Sequence, residues 1–188
     1  STLPATLFPY TTLFRSSQLV TVTDNVAPSI TCPADVSVFT NDGCTATGVS
    51  SGSPSTSDNC SVASTSNNHP SSTYALGVTT VTWTVTDGSG NTATCSQLVT
   101  VTDNVAPSIT CPADVAVFTN DGCTATGVAL GSPSTSDNCS VASTSNDHAS
   151  STYALGVTTV TWTVTDGSGN TATCSQLVTV TDNVAPSI

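Results

Sequence analysis

The chain has 188 residues, and its twelve acidic side chains are all aspartate, against one arginine and no lysine, for a net charge of −11 and a pI near 4.1. Nucleic acid and anionic membrane surfaces are disfavoured as partners, because both are bound through Lys and Arg. No apolar run approaches the roughly 20 residues of a membrane span, so membrane insertion is not expected, and cations, water and neutral glycans are the favoured partners.

Residues 1–16 do not fit the pattern that governs the rest. Thr6 to Ser16, Thr-Leu-Phe-Pro-Tyr-Thr-Thr-Leu-Phe-Arg-Ser, resembles the in-frame translation of a common sequencing-library adapter. We therefore expect a non-native leader at 1–16, which removes Arg15, the one arginine, from the natural protein. Pro4 and Pro9 interrupt its apolar run, which argues against a signal peptide.

From Ser17 onward the chain is repetitive. The string Thr-Asp-Asn-Val-Ala-Pro-Ser-Ile starts at Thr23, Thr102 and Thr181, a constant period of 79 residues. Such a period defines the folding unit before any local reading. The expected division is a last-strand remnant of a preceding repeat at 17–23, repeat one at 24–102, repeat two at 103–181, and the start of a truncated third at 182–188.

Within a unit, Asp35 to Thr40 alternates as a strand, Asn41-Asp42-Gly43 is a turn signal, and Cys44 to Val49 reads as a return strand. Ser53 to Asn59 reads as a loop, Ser61 to Ser66 as a weak strand, and Asn67 to Thr73 as another loop. Thr79 to Thr86 is the strongest strand, with Val81, Trp83 and Val85 facing inward. Asp87-Gly-Ser-Gly-Asn91 closes a hairpin, and Thr92 to Thr102 places Val99 and Val101 inside before running into the next joint. Short strands at this spacing, with no helical period, predict an all-β fold of two tandem immunoglobulin-like β-sandwich domains. The two units differ at five positions: Ser37/Ala116, Ser50/Ala129, Ser51/Leu130, Asn68/Asp147 and Pro70/Ala149. Only Leu130 against Ser51 is expected to alter packing.

The strings Pro28-Ser-Ile-Thr-Cys32-Pro33, Asp58-Asn59-Cys60, Leu76-Gly77-Val78-Thr-Thr-Val81 and Thr86-Asp87-Gly-Ser-Gly-Asn91-Thr-Ala-Thr-Cys95 together resemble the hyalin repeat (HYR) pattern, in order and in both units. The resemblance implies an immunoglobulin-like extracellular module associated with cell adhesion, often in long tandem arrays. Near-identical, lysine-free versions resemble those of very long bacterial surface proteins. Tyr74-Ala75 stands where the family more often has Phe-Pro.

The eight cysteines form two sets of four, without the close pairs of a zinc site, and point to disulfides in an oxidising compartment. Four cysteines allow three connectivities. If the first strand runs parallel to the last, Cys32 meets Cys95, leaving Cys44 with Cys60; in unit two this gives Cys111–Cys174 and Cys123–Cys139.

No cofactor is required on this reading, but calcium is a candidate. Asp103-Asn104-Val-Ala-Pro107 resembles the Asp/Asn-Ala-Pro linkers of calcium-bridged cadherin arrays. Asp137-Asn138 and the loop from Asp166 are expected at the same end of unit two, so Asp103, Asn104, Asp137, Asn138 and Asp166 form the candidate set of oxygen ligands. The competing reading is turn chemistry alone. No catalytic residues are expected: His69 and His148 fall in polar loops, and nothing fixes a base or an oxyanion hole. The leading functional expectation is a non-catalytic extracellular adhesion spacer whose partners are neighbouring repeats of the chain, surface glycans or proteins. The alternative is a glycan- or calcium-binding accessory module on a secreted enzyme.

Overall fold

In a computed structural model, residues 17–188 are described; the adapter-like leader lies outside them. The described residues are all-β and form two tandem β-sandwiches. Unit one carries β1 (Ser29–Thr31), β2 (Val36–Phe39), β3 (Thr45–Ala46), β4 (Ser55–Ser57), β5 (Val62–Asn67), β6 (Tyr74–Ala75), β7 (Gly77–Asp87) and β8 (Thr92–Thr102). Unit two repeats them as β9 (Ser108–Thr110), β10 (Val115–Phe118), β11 (Thr124–Ala125), β12 (Ser134–Ser136), β13 (Val141–Asn146), β14 (Tyr153–Ala154), β15 (Gly156–Asp166) and β16 (Thr171–Thr181).

The main layer of unit one is a four-stranded sheet in the order β2-β8-β7-β5, faced by two short ladders, β1 with β4 and β3 with β6. β2 runs parallel to β8 with Val36 opposite Val99, and β7 pairs antiparallel with β8 along their length. The alternation in β7 has a direct cause. Val81, Trp83 and Val85 are buried on the inner face, while the threonines between them stand on the other, where β-branching favours the extended backbone. Tyr74, Ala46, Val99 and Val101 complete the core with Val81 and Trp83. Full burial contributes about 1.5–3 kcal/mol for each large apolar side chain.

Several local expectations change. Ser55–Ser57 and Tyr74–Ala75 are strands, and the return strand after Cys44 shrinks to Thr45–Ala46. Ser29–Thr31 finds its partner in Ser55–Ser57, with the two serine hydroxyls Ser29 and Ser57 2.7 Å apart. Gln97, on the inner face of β8, is fully buried; its Oε1 accepts the Trp83 indole N–H at 3.2 Å and its amide donates to the carbonyls of Ala34 and Ser51. A buried indole N–H must find such an acceptor. His69 and His148 are not free loop side chains: each is half-buried and stacked on a tyrosine, Tyr74 at 4.2 Å and Tyr153 at 4.1 Å between ring centres.

The disulfides are Cys32–Cys95, Cys111–Cys174 and Cys44–Cys139; Cys60 and Cys123 are unbonded and exposed. The parallel pairing of β2 and β8 brings Cys32 to Cys95, with Cα atoms 5.7 Å apart. The expected Cys44–Cys60 and Cys123–Cys139 links are corrected. The turn before Cys44 lies where β8 leaves unit one, since the Thr40 amide donates to the Thr102 carbonyl. Cys60 lies at the opposite end, in the loop whose Asn59 donates to Asp24. The length of the sandwich separates them. Cys44 instead meets Cys139 of unit two, where the joint folds the two ends together.

Candidate metal centre

The joint after β8 is Asp103 to Pro107. A β-strand cannot continue into the next sandwich without turning, and Asp103 supplies the turn: its Oδ1 accepts the Val105 amide at 3.0 Å, an Asx turn. The same Oδ1 accepts the Thr40 hydroxyl at 3.2 Å and the Asn138 amide at 3.3 Å. These bonds draw one residue from each unit onto the joint. Asp103 is 7% exposed, and its Oδ2, also buried, has no hydrogen-bond partner.

Two loops of unit two bring further carboxylates. Asp137 caps its own loop, its Oδ2 accepting the amides of Cys139 and Ser140 at 2.8 and 3.0 Å; its Oδ1 is buried without a partner. Asp166 ends β15 and organises the hairpin: its Oδ1 accepts the amides of Ser168 and Asn170, and its Oδ2 the Asn170 side-chain amide at 2.7 Å. Burial pushes the Asp166 carboxyl up, but the hydrogen bonds from Asn170, Ser168 and Gly169 outweigh it and leave the group below the ordinary carboxylate value. Ligand oxygens of Asp103, Asp137 and Asp166 lie within 4.8 Å of one another.

Of the five residues singled out in the sequence, the structure thus gathers three carboxylates. Asn138 acts otherwise. Its amide nitrogen also donates to the Gly43 carbonyl at 3.2 Å, so it bridges the units rather than turning its oxygen to the carboxylates. Asn104 is exposed beside Asp103 in the chain. The sequence places the Asp166 to Asn170 loop at this end but not the role of Asn170, whose amide also donates to the backbone carbonyls of Asp103 at 3.1 Å and Val105 at 3.4 Å and so clamps the joint to the hairpin. Its signal was the Asp-Gly-Ser-Gly-Asn spacing, which serves as more than a turn.

The fit to a hard cation is good. Three carboxylates in one place repel one another, and buried oxygens without donors lose solvation. Asp103 Oδ2 and Asp137 Oδ1 are two such oxygens, and a hard cation held among the three carboxylates would relieve both costs. An equivalent triad, Asp24, Asp58 and Asp87, sits at the start of unit one, again with unpartnered oxygens on Asp24 and Asp58. Beside it, a hydrogen bond to Asp24 and the negative charge of that residue push the Cys60 thiol up.

A family model described as HYR domain matches residues 23–101 and again 102–180. No curated protein matches the chain. Among solved structures, similarity is distant. A protocadherin gammaB7 EC3-6 cis-dimer structure is 18% identical with a TM-score of 0.38, covering 82% of this chain and 51% of that one. Drosophila N-cadherin EC1-4 is 12% identical with a TM-score of 0.40, covering 83% and 50%. Human mucin-like protocadherin EC1-2 is 11% identical with a TM-score of 0.42, covering 82% and 98%. The chain spans about half the length of the first two.

Proposed function

We propose that this chain, which belongs to the HYR domain family through both of its units, is a non-catalytic extracellular spacer of the adhesion type whose joints are held in a fixed relation. The observation that carries the reading is the Cys44–Cys139 crosslink, which ties the end of unit one to the start of unit two beside the joint. A covalent brace there has no use in a flexible tether; it resists bending and extension at the one place where two sandwiches would otherwise hinge. The disulfides also support an oxidising compartment. The acidic surface keeps neighbouring chains apart.

Calcium is the second brace in this reading. Asp103, Asp137 and Asp166 would hold it, and the ion would supply charge neutralisation of the triad. Asp103 belongs to the joint and the other two to unit two, so cation and joint would order together.

Small-angle scattering on the oxidised chain and its C44S/C139S variant, each with calcium or chelator, tests this. The spacer reading expects the distribution of inter-unit distances to widen clearly in the variant, and further with chelator. Identical distributions in all four conditions would remove it.

A further inference from the structure

We propose that Cys123 and Cys60 are the two open halves of the Cys44–Cys139 crosslink, so that the far end of unit two is a docking surface for the Asp-Asn-Cys loop of a further HYR unit. The argument starts from the period. Cys123 lies 79 residues after Cys44, and Cys60 lies 79 before Cys139. Both are exposed and unbonded, although each sits in the repeat-equivalent loop of a bonded counterpart in the other unit.

The surroundings repeat as well. At the joint, the Asn138 carbonyl oxygen packs 3.7 Å from where a Cβ on Gly43 would stand, and the Asn138 amide donates to the Gly43 carbonyl. Gly43 has φ +57°, a conformation that L side chains rarely adopt, so the turn stays bare for the incoming loop. At the end of unit two, Gly122 has φ +60° and nothing within 4 Å. A cleft of about 650 Å³ opens there, lined among others by Asn120, Asp121, Gly122, Asp182 and Pro186. These are the 79-residue counterparts of Asn41, Asp42, Gly43, Asp103 and Pro107. Thr119 still donates to Asp182, at 3.5 Å, as Thr40 does to Asp103, at 3.2 Å. The receiving half is therefore built, and its occupant is defined by the joint in the same chain: a loop carrying Asn before Cys.

Bond formation joins two sulfurs and releases two protons and two electrons. The electrons pass to a disulfide oxidant, such as an oxidised dithiol catalyst or oxidised glutathione, which is reduced to thiols. The result is an array with one covalent brace per joint. It does not depend on cation binding.

The test extends the chain by one unit, a copy of residues 103–181 placed after Thr181, and counts free thiols in denaturant with the bonds mapped by mass spectrometry. The chain as it stands carries two free thiols, Cys60 and Cys123. The longer chain is expected to carry two again, with Cys123 bonded to the third unit's counterpart of Cys139. Four free thiols would show that the far end does not receive the loop, and none would show pairing within units; either overturns the proposal. A C123S form of the longer chain controls for folding, since it keeps every staple within a unit. It is expected to expose the third unit's loop thiol and to leave the within-unit bonds unchanged.

Discussion

The two acidic triads have the same residues at the same spacing, but among the described residues only the Asp103 triad has a unit packed over it. Asp103 is buried and its Oδ1 gathers the Thr40 hydroxyl and the Asn138 and Val105 donors, whereas the Oδ1 of half-buried Asp24 accepts from Val26 and Asn59. Everything that distinguishes them comes from unit one, whose Thr40, Gly43 and Cys44 close over the joint. The Asp103 triad is thus assembled by the unit that follows the joint and covered by the unit that precedes it. Covering matters because removing water strengthens carboxylate–cation attraction and strands any oxygen without a partner.

The strongest way to break the comparison is to take away one unit's fold. Replacing Cys111 and Cys174 by alanine removes a link spanning 63 residues, worth about 4 kcal/mol in the chain-entropy model, against a total of roughly 5–15 kcal/mol for a domain. Calorimetry should show unit two melting far below unit one, with the Asp103 triad lost alongside it and the Asp24 triad retained. C32A/C95A should do the reverse. If either variant melts as one unchanged transition, the units are not stapled independently.

A sharper test leaves the fold alone. By isothermal titration, calcium should bind with a dissociation constant of roughly 10⁻⁴–10⁻³ M, the range of extracellular modules. D103N should weaken the tighter of the two sites by about tenfold or more, whereas D24N should leave it intact. At a calcium concentration about 100 times the dissociation constant, that site would add about 2.7 kcal/mol to the folded state, which D103N should abolish. Equal effects of the two substitutions would mean that the covering unit contributes nothing.

The cores offer a smaller contrast. Leu130 packs against the unit-two cluster, and Val128 is buried there, whereas Ser51 and half-buried Val49 occupy the matching places in unit one. L130S should lower the stability of unit two by about 1–2 kcal/mol, below a full large-to-small core loss because Leu130 is only partly buried. S51L should raise unit one by less. Equal melting of the units before and after L130S would show that Leu130 adds no packing.

Much of this was legible in the sequence because two signals are local. Period-two alternation named Val81, Trp83, Val85, Val99 and Val101 as core, and the 79-residue period divided the chain. What escaped was not local. Nothing in Ser55–Ser57 marks it as a strand; it becomes one because Ser29–Thr31 needs a partner. Cys60 is the candidate partner of Cys44 within its own unit, but the bond depends on which end of the sandwich each loop occupies, and that is not a local property of the sequence. Asn138 has the residue type of a ligand, but its side-chain amide is directed at the Gly43 carbonyl of the other unit.

The last difference between the units is a single charge. Asp147 stands where unit one has Asn68, and each accepts the same strand amide at 2.8 Å, from Thr161 and Thr82 respectively. The hydrogen bonds from Thr161, opposed in part by burial, hold the Asp147 carboxyl below its ordinary value of 3.8. A depressed pKa contributes stability above 3.8, and that contribution fades as the pH falls through the lower folded value. Asn68 does not titrate. Unit two should therefore lose slightly more stability than unit one on acidification below about pH 4, because Asp147 is the one aspartate without a counterpart in the other unit. Melting both units across that range in the parent and in D147N measures it. D147N should bring the acid profile of unit two onto that of unit one, and an unchanged gap between the profiles would assign the difference to some group other than Asp147.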